Sequence, residues 1–141
     1  MTHVVVIDDD RSIGEMIRRS LSKIELNVLT VTKADEGLTA IRSETPDVVL
    51  LDIMLPGISG LDVFRKIRDI DRKLPIIFIT AGSDSSTAIK AMQLGGFDYV
   101  TKPLNLPALN DLVEKAITTR HMINTPVALH MSDGDFPDAE S

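Results

Sequence analysis

Residues 4–10 read VVVIDDD: four β-branched apolar side chains in a row, then three aspartates. An unbroken β-branched run of this length predicts a short strand buried on both faces. Carboxylates crowded at its end repel one another and resist burial. Helix capping accounts for part of the crowd. Asp10 is a favoured N-cap for the helix that follows, and Ser12 with Glu15 has capping-box spacing ahead of Ile13, Met16 and Ile17. A cap uses one residue. Asp8 and Asp9 are left over, and a pair of carboxylates at a strand end is what a cation site requires.

Four further apolar runs lie at 28–31, 48–51, 76–79 and 97–100, each short, with β-branched residues common among them. Helical stripes separate them. Ile13, Met16, Ile17, Leu21 and Ile24 form one, Leu61, Phe64 and Ile67 another, and Leu106, Leu109, Leu112, Val113, Ala116 and Ile117 the clearest. Weaker stripes run through Leu38 with Ile41, and through Ala88, Ile89 and Met92. Pro46, the PGISG of 56–60, Pro75, Gly95-Gly96 and Pro103 break the pattern between them. Alternating βα units predict an α/β fold with a mainly parallel sheet covered on both faces. Five such units fit a doubly wound, flavodoxin-like (βα)5 sheet of strand order 2-1-3-4-5. Its ligands bind beyond the C-terminal strand ends, between strands one and three.

Composition closes off several classes. The 141 residues are 43% hydrophobic and 26% charged, as in an ordinary soluble domain. There is no cysteine, which excludes disulfides, thiolate zinc sites and cysteine nucleophiles. The N-terminus lacks a basic region and its apolar run is short for a signal peptide; no stretch reaches the length of a membrane span. A cytoplasmic protein without a membrane partner is the expectation. His3, His121 and His130 are scattered and suggest no metal cluster. The formal charge of −6 falls partly on Asp133, Asp135, Asp138 and Glu140, beyond the last Lys or Arg. No basic patch of the kind phosphate backbones need is evident, so direct nucleic-acid binding is not expected. Residues 1–120 read as one domain and residues 121–141 as an acidic linker or tail, with a short helical continuation from Arg120 to Ile123 left open.

The reactive side chains fall at strand ends: Asp8 and Asp9 after strand one, Asp52 after strand three, Thr80 after strand four and Lys102 after strand five. Any one of them is unremarkable, because polar residues often end strands. Together, on one edge of the sheet, they form a constellation. Its order and spacing resemble the receiver domain of two-component response regulators (CheY-like) over residues 1 to about 120. The resemblance implies that Asp52 is the phospho-accepting aspartate and that Asp9, with Asp8 assisting, binds Mg²⁺. It makes Met54 a metal ligand through its backbone carbonyl, Thr80 the switch hydroxyl, Tyr99 the switch aromatic and Lys102 the active-site lysine. Pro103 matches a structural proline that in this family usually follows a cis peptide bond.

The chemistry asks for these types. Phosphoryl transfer needs an in-line nucleophile and positive charge on the transferring oxygens; Mg²⁺ is held by a few carboxylates together with phosphate oxygens and water. The resemblance implies a phosphoprotein rather than a turnover enzyme, catalysing only its own phosphorylation and dephosphorylation. Its partners would be a cognate histidine kinase and, through the face of helix four, strand five and helix five, a second copy in a homodimer. GGFDYVTKPLNLPALNDLVEKAI is similar to the receivers of NtrC-type, sigma-54-dependent activators, which would place transcription regulation in a following domain. A stand-alone receiver or phosphorelay protein is the alternative. A haloacid-dehalogenase-like phosphatase is more remote, since it needs an acid where Met54 stands. A dinucleotide-binding reading lacks its glycine motif after strand one.

Overall fold

A computed structural model describes residues 2–82 and 85–124 of the chain. Beyond those limits lie His130 and all but the first residues of the expected acidic linker. In chain order the elements are β1 (Val4–Ile7), α1 (Arg11–Ser22), β2 (Val28–Val31), α2 (Ala34–Glu44), β3 (Val48–Asp52), β4 (Met54–Leu55), β5 (Ile58–Ser59), α3 (Gly60–Ile70), β6 (Ile76–Ala81), α4 (Ser85–Gln93), β7 (Asp98–Lys102) and α5 (Leu106–Asn124). Five of the strands form one parallel sheet of order β2-β1-β3-β6-β7. Counting only these five, the order is the 2-1-3-4-5 of the doubly wound arrangement.

Both faces of the central strands are buried, which is why their sequences read as continuous apolar runs. Val5, Ile7, Val49, Leu51, Ile76 and Phe78 point to one side, where Ala40 and Ile41 of α2 and Val63, Phe64 and Ile67 of α3 cover them. Val4, Val6, Val48, Leu50, Ile77 and Ile79 point to the other, against Ile17 and Leu21 of α1 and Leu109, Val113 and Ala116 of α5. Each fully buried Val, Leu or Ile side chain contributes about 1.5–3 kcal/mol. These two layers fix the sheet and hold its C-terminal edge at one level.

The local signals were used unequally. Asp10 caps α1, accepting from the Ser12 amide at 2.9 Å and the Ser12 hydroxyl at 2.5 Å. The capping-box spacing of Ser12 and Glu15 goes unused, because Glu15 pairs instead with Arg18 and with Arg19 one turn on. In α4 the buried residues are Ala88 and Ala91, while Ile89 of the expected stripe is 59% exposed. The two small residues let the helix lie close to the sheet and turn the larger side chain outward. The PGISG breaker supplies the turn and second strand of a short antiparallel hairpin, with Met54 opposite Ser59 and Leu55 opposite Ile58. Gly57 turns it at φ +79°, a left-handed conformation that glycine adopts freely.

Candidate functional site

Strand register brings the strand-end residues together. Ile7 lies opposite Leu51, so Asp8 and Asp52, each one residue further, end side by side. Asp52 lies opposite Ile79, Thr80 opposite Thr101 and Ala81 opposite Lys102. Each step across the sheet therefore puts the next polar residue at its C-terminal edge. Asp8, Asp52 and Thr80 are almost fully buried, at 2%, 3% and 2% exposure. Asp9 is exposed beside them.

Lys102 Nζ stands between the two buried carboxylates, 3.3 Å from Asp52 Oδ2 and 3.4 Å from Asp8 Oδ2. The contact to Asp52 is a hydrogen bond; the one to Asp8 is an ion-pair approach. Asp8 Oδ1 accepts from the Asp10 amide at 2.9 Å, and Asp52 Oδ1 from the Met54 amide at 2.8 Å. Among the described residues Asp8 Oδ2 is a buried oxygen with no hydrogen-bond partner. Desolvation by burial, reinforced by Asp52 and opposed by the Asp10 amide and Lys102, pushes the Asp8 carboxyl up to about 6. Burial works against the Lys102 ammonium, but the nearby Asp8 and Asp52 carboxylates outweigh it and raise its pKa.

These observations test whether the residues suit a divalent cation. Asp8, Asp9 and Asp52 each offer a ligand oxygen, and the three lie within 4.8 Å of one another. Asp8 Oδ2 is a second sign: it has the Lys102 ammonium 3.4 Å away but accepts no hydrogen bond, and a buried carboxylate oxygen without one is costly. Hard oxygen donors of this charge suit Mg²⁺. The residues fit the ion. Two open clefts reach the cluster: one lined by Asp8, Arg11, Thr30 and Lys33, the other by Asp9, Lys33, Leu55 and Lys66.

The Thr80 hydroxyl donates to the Ala81 carbonyl at 2.7 Å. Tyr99, on β7, is 43% exposed. The Met54 side chain is 65% exposed and leaves the site to its backbone. The Lys102–Pro103 peptide is cis. Two features had no signal in the sequence. One is the Met54 amide held by the Asp52 carboxylate; the other is Gly60, whose amide donates to the Ile53 carbonyl at 2.9 Å. Gly60 was legible only as a loop breaker, since nothing local marks a close approach between segments.

Comparison with known proteins fits this geometry. The family model for the response regulator receiver domain matches residues 4–114. The chain is 42% identical over 115 residues to the DNA-binding transcriptional regulator NtrC of Salmonella typhimurium, covering 82% of this chain and 24% of that protein. It is 36% identical over 122 residues to the C4-dicarboxylate transport transcriptional regulatory protein DctD of Pseudomonas aeruginosa, covering 86% of this chain and 26% of that one. The chain thus spans about a quarter of the length of these curated relatives. Among solved structures, a response regulator receiver domain protein from Clostridium thermocellum matches with a TM-score of 0.82 at 31% identity, covering 87% of this chain and 99% of that one. The receiver domain of NtrX from Brucella abortus matches with a TM-score of 0.79 at 30% identity, covering 82% and 98%.

Proposed function

The chain belongs to the response regulator receiver domain family, and from that premise we propose that it accepts a phosphoryl group on Asp52 from a partner histidine kinase. The observation that carries this reading is the buried pair of carboxylates bridged by Lys102, with Asp8 Oδ2 left without a hydrogen bond. An Asp52 carboxylate oxygen attacks phosphorus in line. The new O–P bond forms as the P–N bond of the phosphohistidine breaks, and its electron pair stays on the imidazole nitrogen. Small acyl phosphates can serve as donor in the same way, with a carboxylate leaving.

Asp8, Asp9, Asp52 and the Met54 carbonyl would hold the metal, and a bound Mg²⁺ supplies positive charge for the transferring phosphoryl oxygens. Lys102 adds a cation that pairs with Asp52 beforehand and with the phosphate afterwards. The Met54 amide orients the acceptor.

Phosphate on Asp52 gives the Thr80 hydroxyl a stronger acceptor than the Ala81 carbonyl. Its inward rotation, followed by Tyr99, biases a two-state surface over α4, β7 and α5. The NtrC and DctD likeness supports transcription as the output, delivered by a domain outside this chain, and a cytoplasmic setting. Among the described residues no helix is long and apolar enough to cross a membrane. The domain is read as residues 1–120 with a linker from 121; helix α5 itself runs on to Asn124. Incubation with acetyl phosphate and Mg²⁺ tests the acceptor: the protein gains one phosphate mass, and Asp52→Asn does not. Equal labelling of that variant overturns the assignment.

A further inference from the structure

We propose that Gly60 is a positioning residue for the phospho-acceptor, because its missing side chain lets the first turn of α3 rest directly on the backbone of Asp52 and Ile53. The inference deepens the phospho-acceptor reading and depends on it. After β3 the chain turns back through the β4–β5 hairpin, and Gly60 meets the acceptor segment it has just left. A Cβ on Gly60 would lie 2.5 Å from Ile53 Cα, 2.8 Å from the Ile53 oxygen and 2.9 Å from the Asp52 oxygen. All three are backbone atoms, so no side-chain rotation relieves the clash.

Comfortable carbon contact needs about 3.5 Å or more, so some segment must retreat by roughly 1 Å. Helix α3 is poorly placed to do so. Ser59 caps it through the Leu61 amide at 3.2 Å, and Val63, Phe64 and Ile67 are anchored in the core. The acceptor side is packed too: Ile53 is buried in the same core and its amide donates to the Ile79 carbonyl, with the short two-stranded hairpin beyond it. All three clashing atoms belong to Asp52 and Ile53, so the strain reaches residues 52–54, which carry the acceptor carboxylate and the amide that orients it. Gly60 is required here for space, unlike Gly57, which has open space around it and a positive φ.

The test compares Gly60→Ala with Gly96→Ala. The second substitution places its Cβ 2.7 Å from the Phe78 ring, away from the acceptor loop, and so serves as a control for destabilisation alone. Three readouts are taken on each folded protein: metal-free amide shifts, Mg²⁺ affinity by titration, and the rate of labelling by acetyl phosphate. Gly60→Ala is expected to move the Asp52–Met54 amides without metal and to weaken Mg²⁺ about tenfold or more. Labelling should slow on the order of a hundredfold, as a 1 Å misplacement of a reacting group can cost. Gly96→Ala should lower the melting temperature and leave all three readouts near wild type. Unchanged acceptor amides and Mg²⁺ affinity in Gly60→Ala overturn the proposal. So does a Gly60→Ala protein that stays unfolded at low temperature in stabilising osmolyte, since the glycine would then serve the fold rather than the acceptor. A wild-type protein that takes no phosphate refutes the acceptor reading instead, and the metal-free shifts separate the two failures.

Discussion

Arg120 holds Asp71 in a two-pronged pair across 49 residues of chain, Nη1 to Oδ1 at 3.1 Å and Nη2 to Oδ2 at 2.5 Å. Asp71 is the C-cap residue of α3, and Arg120 sits in the last turns of α5. Beside them Arg68 stacks 4.8 Å from the Phe64 ring centroid and donates to the carbonyls of Leu74 and Gly95. These contacts gather the ends of α3 and α5 and the turn after α4 at the edge of the sheet opposite the site.

The Arg120 hydrogen bonds, with smaller help from the Lys73 amide and Arg68, hold the Asp71 carboxyl below its usual range. A depressed folded pKa gives stability that is present above the ordinary carboxylate value and lost as pH falls through the folded one. Asp71→Asn should lower stability at neutral pH by about 1–2 kcal/mol. It should also flatten the acid limb of a stability–pH curve measured by urea unfolding below pH 4. An acid limb as steep as wild type would rule out this pair as its source.

Asp8 has the opposite sign. Its carboxyl is raised from 3.8 to about 6, so between those values the folded state binds the extra proton. Metal-free stability from this group is full below the unfolded pKa and falls as pH rises through the folded one. Asp8→Asn should then stabilise the metal-free protein at pH 7 by on the order of 2 kcal/mol. The same variant should lose most of its stabilisation by added Mg²⁺. Thermal unfolding with EDTA and with excess Mg²⁺ measures both, and a variant less stable than wild type in EDTA would contradict the burial argument.

Lys102 is the cation between the two buried carboxylates. Lys102→Ala removes a charge that offsets their repulsion in the metal-free state and that, under the proposed function, pairs with the phosphate. Mg²⁺ should still bind, while labelling by acetyl phosphate slows by about 10²-fold or more. Labelling at the wild-type rate would mean that the lysine only balances charge.

Thr80→Ala should still take phosphate, because Asp52 and the carboxylates proposed to hold Mg²⁺ are intact, and should lose the conformational response. Beryllofluoride, standing in for the phosphoryl group, then shifts amides around Asp52 in the variant but not those of α4 and β7. A shift pattern identical to wild type would remove Thr80 from the switch.

Ile89, Leu94 and Tyr99 present apolar surface around α4 and β7, at 59%, 40% and 43% exposure. Association of two copies through this face, strengthened by beryllofluoride, is expected in sedimentation velocity experiments. Sedimentation as a monomer in both states at high concentration would exclude it.

The elements and the reactive types were legible in the sequence because both are local. A β-branched run such as Val4–Ile7 reads as a buried strand whatever it packs against, and Asp8, Asp52, Thr80 and Lys102 are visible as polar residues ending such runs. Asp10 could be seen as a cap from its neighbours alone. Placing β1 in the interior of the sheet, between β2 and β3, came from the resemblance and from the general behaviour of βα units, not from any residue of β1.

Distances between segments were decided by tertiary structure alone. Lys102 and Asp52 are 50 residues apart in sequence and 3.3 Å apart in space because β6 lies between β3 and β7 in a fixed register. The exposure of Ile89 and the burial of Ala91 follow from how closely α4 lies on the sheet, which a helical stripe does not specify. The β4–β5 hairpin is too short to leave a period. Gly60 looks like any loop glycine until α3 is docked on the backbone of Asp52 and Ile53. Sequence patterns record what each residue meets along its own chain; the surroundings of Asp52 were set by packing between segments far apart in that chain.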